Sequence, residues 1–229
     1  MSDALKSFML KEINRLNKLT EDARGFNCPI CGNKGFIYAP RERESDIEVN
    51  MIICRCTYVK KLLSEIWGGK IPEGMSFNGL SSIKNEDFYN FAERIAINND
   101  RWGFVYGKNK DRKRKLLSAL TVSFWNCDKK VIYADWNKES PKMRYDTNLT
   151  STRFKAFCGV DLLILDNFME GGRVSPGAYS FAASVLGERS RSHKATIIIN
   201  KNGRSQIKGG SNYLGSLLFR ETEGMQVKC

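Results

Sequence analysis

The feature that most constrains the fold is an alternation of short apolar runs with longer helical patterns, which begins at Trp102 and continues to Asn200. Strand-length apolar runs separated by helical periodicity are typical of βαβ units, in which helices cover a buried, mostly parallel sheet. We therefore predict an α/β domain with a parallel sheet over residues 101–229. The strand-length runs are Gly103–Tyr106, Val131–Ala134, Val160–Leu165 and Ala195–Asn200, and the helical patterns are Leu116–Trp125 and Tyr179–Leu186.

Four of the seven cysteines form two close pairs before this domain. A tetrahedral zinc ion takes four thiolates at about 2.3 Å, and Cys-x-x-Cys on a tight turn presents two sulfurs to one ion. We predict a structural zinc site, because four protein ligands leave no open position for catalysis. A redox or disulfide role and unrelated buried cysteines are the alternatives. The predicted ligands are Cys28, Cys31, Cys54 and Cys56.

Helical stripes flank the cysteine pairs. Apolar residues from Leu5 to Leu16 predict an amphipathic helix that runs to about Leu19. A second set of apolar residues at helical spacing ends before Gly68 and Gly69, and a further helical pattern begins at Phe88. We predict three parts: the first helix and zinc module over 1–69, a connector and first core helix over 70–100, and the α/β domain over 101–229. The second stripe consists of Tyr58, Leu62, Leu63 and Ile66, before Gly68 and Gly69.

The charge of the chain is unbalanced. With 37 Lys and Arg against 25 Asp and Glu, the formal net charge is +12. This excess favours a polyanionic partner, because cations that neutralise phosphates release counterions. A basic surface that binds nothing specifically is the alternative. The content of 41% hydrophobic residues excludes a disordered polymer.

No apolar stretch approaches the roughly 20 residues that a membrane span needs. Lys6, Lys11 and Glu12 also interrupt the apolar positions of the first segment, so it does not resemble a secretion signal. We therefore predict a cytoplasmic protein with no membrane association.

A phosphate-binding loop is expected where the first strand of the domain leads into a helix. The pattern G-x-x-x-x-G-K-[ST] aligns with Gly107 and Lys113, but Arg112 replaces its second glycine and Arg114 its hydroxyl residue. An arginine crowds the cradle in which backbone amides wrap the phosphates, and it cannot ligate Mg²⁺. The run Lys108–Lys115 is therefore a DNA phosphate contact, a weak nucleotide site, or a solvated basic turn.

A second partial match lies at the end of the run Val160–Leu165. In ATP-hydrolysing proteins such a strand ends in a metal-coordinating Asp followed by a catalytic Glu. Asp166 is present, but Asn167 stands in the Glu position and cannot accept a proton from an attacking water. We predict that ordinary ATP hydrolysis is absent and assign no catalytic residue. An ordinary polar strand end is the alternative for Asp166.

Taken together, the two cysteine pairs, the strand ending at Asp166 and the segment Arg189–Asn200 resemble the DnaC/DnaI family of replicative-helicase loaders of bacteria and their phages. The resemblance covers nearly the whole chain. It implies an N-terminal zinc-bearing part that grips a hexameric helicase. It further implies a C-terminal P-loop domain of the AAA+/RecA-like type that binds single-stranded DNA and ATP. The chain ends soon after the final helix, so we expect no full helical lid.

The resemblance also implies roles for individual residues. Gly107, Lys113, Asp166 and Asn167 match nucleotide-site positions, and Asn200 matches a polar sensor at its strand end. The arginines of the last helices would lie near DNA or a neighbouring subunit. The complete set of expected DNA-binding or inter-subunit residues is Lys108, Lys110, Arg112, Arg114, Lys115, Arg189, Arg191 and Arg220.

The function implied is that of a phage-like loader with degenerate ATPase motifs, acting in the bacterial host cytoplasm. The protein would bind the hexameric helicase and single-stranded DNA, and copies of it could assemble on the helicase. Zinc would be its structural cofactor, and whether ATP with Mg²⁺ binds stays open. The tryptophans Trp102, Trp125 and Trp136 could stack on bases or belong to the core. Two alternatives stay open: a transposition-type AAA+ regulator that binds duplex DNA, and an inhibitor of a host helicase or loader.

Overall fold

The computed structural model describes residues 7, 11, 28, 30–31, 35–42, 47–69, 71–72, 79–98, 100–144, 147–170, 174–203, 207 and 212–229. The chain divides into two compact units, Met1–Asn78 and Gly79–Cys229. Ser7 and Lys11 are helical, and the rest of the predicted first helix lies outside the described residues.

The first unit contains a two-stranded antiparallel ribbon followed by a helix. Strand β1 (Phe36–Glu42) pairs with β2 (Ile47–Ile53), and helix α1 (Cys56–Trp67) follows. The α1 helix ends because Gly68 adopts a left-handed conformation (φ 77°) and donates its N–H to the Glu65 carbonyl. The second predicted stripe is confirmed as a helix, but Val59 is buried in place of the half-exposed Tyr58.

The second unit alternates strands and helices, as predicted. It begins with a 3₁₀ turn (Gly79–Ser82) and helix α2 (Glu86–Asn98), then β3 (Trp102–Tyr106) and α3 (Lys110–Asn126). The remaining elements are β4 (Val131–Asp135), α4 (Trp136–Glu139), a 3₁₀ turn (Ser140–Arg144), α5 (Thr147–Gly159), β5 (Leu162–Asp166), α6 (Pro176–Arg191), β6 (Ala195–Asn200), α7 (Asn212–Glu221) and β7 (Gln226–Lys228).

The strands of the second unit form one parallel sheet of five strands in the order β4-β5-β6-β3-β7. The four strands with apolar runs occupy consecutive places in this sheet, and all six residues of β6 are buried. The predicted α/β class is confirmed. The edge strand β7 was not predicted, because three residues with one buried side chain leave no apolar run in the sequence.

The core of the second unit lies on the faces of this sheet. Trp102, Trp125 and Trp136 are all buried, with at most 7% of their surface exposed. The tryptophans therefore belong to the core, and the structure rules out their use as base-stacking platforms. None of the described helices combines the length and apolar character needed to cross a bilayer.

Candidate functional site

The four predicted zinc ligands come together in the first unit. Cys28 Sγ lies 3.8 Å from Cys54 Sγ, and Cys31 Sγ lies 3.3 Å from Cys56 Sγ. All four sulfurs lie within 4.8 Å of one another, and all four side chains are buried. Four sulfurs at 2.3 Å from one tetrahedral ion would lie about 3.8 Å apart, so the cluster fits a metal ion of zinc's geometry.

The ribbon and α1 hold these cysteines in place. Gly35, at φ 82°, donates its N–H to Cys31 Sγ at 3.4 Å and accepts the N–H of Cys54 at 2.7 Å. Thr57 Oγ1 also donates to the Gly35 carbonyl, at 3.0 Å. Because Cys56 is the first residue of α1, the tight Cys-x-Cys pair spans the turn from strand to helix. A metal ion bound here would join the ends of all these elements.

In the second unit, the predicted nucleotide-site residues gather at the carboxyl edge of the sheet. Gly107 follows β3, Asp166 ends β5 and Asn200 ends β6. Parallel α/β sheets bind ligands at this edge. Asn167 directly follows Asp166, so the structure places Gly107, Asp166, Asn167 and Asn200 at this edge, whereas Lys113 lies in helix α3, which begins at Lys110.

The connection from β3 to α3 is shorter than a phosphate-binding loop. Only three residues separate Tyr106 from Lys110, so Arg112 and Lys113 lie in the first turn of α3. The Arg112 N–H is bound at 3.0 Å by the Asn109 side chain, which caps the helix. This amide is therefore satisfied within the protein.

Gly107 is also closely surrounded. Its φ is 120°, and a β-carbon there would lie 1.8 Å from the backbone oxygen of Cys229. Its N–H donates to the Lys201 carbonyl at 3.2 Å, and the Cys229 N–H donates to the Tyr106 carbonyl at 2.6 Å. The absence of a side chain at Gly107 permits the close approach of Cys229, the residue that follows β7.

The acidic strand ends are joined by hydrogen bonds. The Tyr133 hydroxyl donates to Asp166 Oδ2 at 2.7 Å, and the Asn167 N–H donates to Asp166 Oδ1 at 2.8 Å. Asn167 Nδ2 donates to Asp135 Oδ1 at 3.0 Å, and Lys138 Nζ lies 3.7 Å from Asp135 Oδ2. Both oxygens of Asp166, the position of a metal-coordinating acid, are thus engaged.

Burial raises the pKa of Tyr133, and the neighbouring charge of Asp166 and its hydrogen bond raise it further. The phenol therefore stays protonated at neutral pH and donates to the carboxylate. Asn167 has φ 53°, a left-handed conformation that asparagine tolerates better than glutamate. This backbone directs its amide toward Asp135.

Asn200 ties two strand ends together. Its Nδ2 donates to the Phe168 carbonyl at 2.7 Å, and its Oδ1 accepts the Asn202 N–H at 2.7 Å. The side chain is only 3% exposed. Both polar atoms of the Asn200 side chain are thus bound to backbone groups, and the residue joins the segments that follow β5 and β6.

The predicted basic residues divide by exposure. Arg114 is half-buried, and its Nη1 lies 3.9 Å from Asp111 Oδ1. The exposed members of the run surround the first turn of α3: Lys108, Lys110, Arg112 and Lys115.

Arg191 and Arg220 line a groove of about 380 Å³ between α6 and α7. Both are exposed, and each faces a carboxylate: Arg191 Nη2 lies 2.7 Å from Glu188 Oε2, and Arg220 Nη2 lies 2.8 Å from Glu221 Oε1. The structure therefore brings these two predicted residues together, with their charges partly neutralised.

The expectation for Arg189 is corrected, because its side chain is completely buried. Nε donates to Thr196 Oγ1 at 2.9 Å, and Nη1 donates to the carbonyls of Phe157 and Val160 at 2.6 and 2.8 Å. Nη2 donates to the carbonyls of Asp161 and Ala195. A guanidinium enclosed by five acceptors cannot contact DNA or a neighbouring subunit.

Sequence reasoning missed Tyr133, Asp135 and Asn109. Asp135 had a usable signal, because it follows an apolar run as Asp166 does. Asn109 is a common helix-capping residue three positions before Arg112. Tyr133 had no such signal, since only the pairing of β4 with β5 places its hydroxyl on Asp166.

No protein-family model matches the chain, and no curated protein sequence matches it. Solved structures do resemble it. The replication initiator DnaA bound to AMPPCP and single-stranded DNA matches with a TM-score of 0.55 and 19% identity, over 66% of this chain and 49% of that chain. DnaI matches with a TM-score of 0.54 and 14% identity, over 66% of this chain and 88% of that chain. The DnaC helicase loader matches with a TM-score of 0.51 and 13% identity, over 66% and 95%.

This chain thus spans about half the length of that DnaA structure and most of the length of the DnaI and DnaC structures. At these identities the likeness establishes the fold. The predicted resemblance to helicase loaders is confirmed as a likeness of fold over 66% of this chain. The chain combines a cluster of four buried cysteines with an α/β sheet domain whose fold is similar to that of these solved structures.

Proposed function

We propose that this chain is a DNA replication protein that binds a hexameric replicative helicase and guides it onto single-stranded DNA without normal ATP hydrolysis. The observation that carries the proposal is the fold it shares with the DnaC helicase loader over 95% of that chain. The net charge of +12 agrees with a nucleic-acid partner.

The first unit is the proposed helicase-binding part. Met51 and Ile53 of β2 are 64% and 74% exposed, and Ile52 between them is 49% exposed. Adjacent exposed apolar side chains on a two-stranded ribbon are typical of protein interaction sites. Zinc bound by the four cysteines would keep this ribbon in one shape for docking.

The carboxyl edge of the sheet supports action without an ATP cycle. Hydrolysis needs a free carboxylate for Mg²⁺ and a base for water, whereas Asp166 is bound to Tyr133 and Asn167 replaces the base. The short connection at Gly107 leaves little backbone to wrap a triphosphate. The proposed mechanism is therefore mechanical: one unit holds the helicase and the other holds the DNA strand.

The test is co-migration of the purified chain with its cognate replicative helicase on a sizing column, with and without ATP and single-stranded DNA. We expect a complex that forms without ATP and carries DNA at low salt. Met51→Ser/Ile53→Ser should weaken the complex at least tenfold. Ile97→Ser is the matched control, because Ile97 is 68% exposed but lies on α2 in the second unit.

Absence of any complex under every condition would contradict the helicase role and favour a DNA-binding or transposition role. A complex that forms only with ATP would contradict the nucleotide-independent mechanism. A tight complex that blocks unwinding and carries no DNA would replace loading with inhibition of the helicase. The hydrogen bond from Tyr133 to Asp166 also supports helicase inhibition as the second candidate function, because an inhibitor needs no ATP hydrolysis.

A further inference from the structure

A groove of about 350 Å³ runs along the outer side of β7. Strand β7 is at the edge of the sheet, and the groove lies between it, α2 and the start of α3. We call this feature the edge groove. Its polar lining includes Asn85, Asn90, Arg94, Arg112, Gln226 and Lys228.

Three cations from three different elements meet in the edge groove. Arg94 comes from α2, Arg112 from α3 and Lys228 from β7, and all three side chains are exposed. Arg94 Nη1 donates to the Gly224 carbonyl at 3.4 Å. Within the described part of the chain, none of the three forms an ion pair, although one carboxylate, Asp87, also lines the groove. The groove therefore favours an anionic ligand.

The edge groove continues the basic surface at the start of α3. Arg112 belongs to both, because it lines the groove and lies in the same helical turn as Lys110. Lys228 pairs with Tyr106 at the carboxyl end of β3, next to Lys108. One extended polyanion could follow this surface from the carboxyl edge of the sheet into the groove.

The donors in the groove match a sugar-phosphate backbone. The backbone of β7 alternates: the Met225 carbonyl and the Cys229 N–H bond to β3, so the N–H and carbonyl groups of Gln226 and Lys228 face the open side, where the two N–H groups can donate to a ligand. Arginine, lysine, amide side chains and backbone N–H groups are the usual phosphate contacts. The aromatic lining residues Phe88 and Phe91 are buried, at 7% and 5% exposure, and present no face for base stacking.

We propose that the edge groove binds the phosphodiester backbone of single-stranded DNA, independently of base sequence, as a continuation of the α3 surface. This inference rests on the proposed DNA role and adds Arg94 and Lys228, which sequence patterns did not single out. The strand would pass Lys108 and Lys110, then Arg112, and enter the groove between Arg94 and Lys228.

The experiment measures fluorescence anisotropy of labelled oligo-dT with the full chain, between about 50 and 200 mM salt. Each phosphate contact on a single strand adds about 0.7 to the slope of log K against log salt. We expect Arg94→Ala/Lys228→Ala to lower the magnitude of that slope by about 1.4 and to weaken binding several-fold at low salt. Both side chains are exposed, so thermal melting should be unchanged.

The matched control is Lys129→Ala/Lys130→Ala, which removes the same charge from exposed lysines before β4, at the amino edge of the sheet. Its slope should equal that of the unchanged chain. An equal slope for the groove variant and the unchanged chain would overturn the proposal while leaving DNA binding by α3 intact. Loss of helicase co-migration in the groove variant, with an unchanged slope, would identify the groove as a site for an acidic peptide instead.

Two further results distinguish DNA binding by the edge groove from the proposed helicase role. A helicase complex that forms normally while the unchanged chain binds no oligo-dT would overturn the groove and the DNA role but leave helicase binding. A reduction of slope by about 1.8 with a duplex of the same length, as expected for two contacts on double-stranded DNA, would overturn the restriction to single strands.

Discussion

At the scale of the single residue, Arg189 joins the end of α5 to the first residues of β6. Its guanidinium binds the carbonyls of Phe157, Val160 and Asp161, and also that of Ala195 in β6. Burial lowers the pKa of Arg189 to about 10, so the group stays charged at neutral pH. Because it is buried and bound to these carbonyls, the Arg189 side chain stabilises the fold of the domain.

Arg189→Met should lower the free energy of unfolding by about 3–5 kcal/mol, because it leaves several buried carbonyls without donors. Urea denaturation with an unchanged m value measures this. Arg191→Met is the control: the Arg191–Glu188 pair is exposed, so its loss should cost less than about 1 kcal/mol. Equal effects of the two substitutions would contradict the structural role of Arg189.

Tyr133 offers a second residue-scale prediction. Tyr133→Phe removes the hydroxyl that donates to Asp166 Oδ2, and we expect a loss of about 1.5–3 kcal/mol in the free energy of unfolding. A double-mutant cycle with Asp166→Asn isolates the pair and should give a coupling energy of about 1–3 kcal/mol. A coupling energy near zero would mean that Asp166 does not depend on Tyr133 and is available for other ligands.

At the scale of the element, the ribbon β1–β2 and helix α1 depend on their cysteines. A two-stranded ribbon is marginally stable by itself in water, so we expect a metal ion held by the four cysteines to contribute much of the folding free energy of this unit. Among the described residues of this unit, α1 buries Val59, Leu62, Leu63, Ile66 and Trp67 beside the cysteines.

Cys54→Ser should abolish zinc binding and unfold the first unit while the second unit keeps its cooperative unfolding transition. Zinc content by atomic absorption should fall from one ion per chain to none, and protease digestion should become faster in residues 28–69. Cys127→Ser is the control, because Cys127 is exposed and separate from the cluster. Retained zinc in Cys54→Ser would show that the four sulfurs do not form one site.

At the scale of the whole molecule, the internal contacts at the carboxyl edge decide whether ATP has a site. A ligand present at 100 times its dissociation constant would stabilise the chain by about 2.7 kcal/mol. That corresponds to a rise of roughly 5–10 °C in Tm for a domain of this size. We expect ATP with Mg²⁺ to raise Tm by less than about 1 °C in a thermal-shift assay.

Lys113→Ala tests the same point from the protein side. Because Lys113 lies in a helical turn whose Arg112 amide is already capped, we expect the substitution to leave helicase co-migration unchanged. An ATP-dependent rise in Tm that disappears in Lys113→Ala would show a working nucleotide site and contradict the mechanical mechanism.

The sequence by itself determined the class of the fold, the positions of most elements and the set of cysteines. These are local or periodic properties: buried parallel strands such as β5 are continuous apolar runs, and a cysteine pair at short spacing needs no tertiary context to be recognised. The predicted roles of Asp166, Asn167 and Lys113 followed from position in a pattern and remain predictions.

Only the tertiary structure decided which polar groups are free. Arg189 belongs to a basic segment in sequence, but the packing of α6 against β6 encloses it, and Tyr133 reaches Asp166 only because β4 and β5 are neighbours. Strand β7 and its groove depend on pairing with β3, which three residues of sequence cannot specify. The physical reason is that burial and hydrogen bonding are set by contacts between residues far apart in the chain, whereas periodicity and motif spacing record only near neighbours.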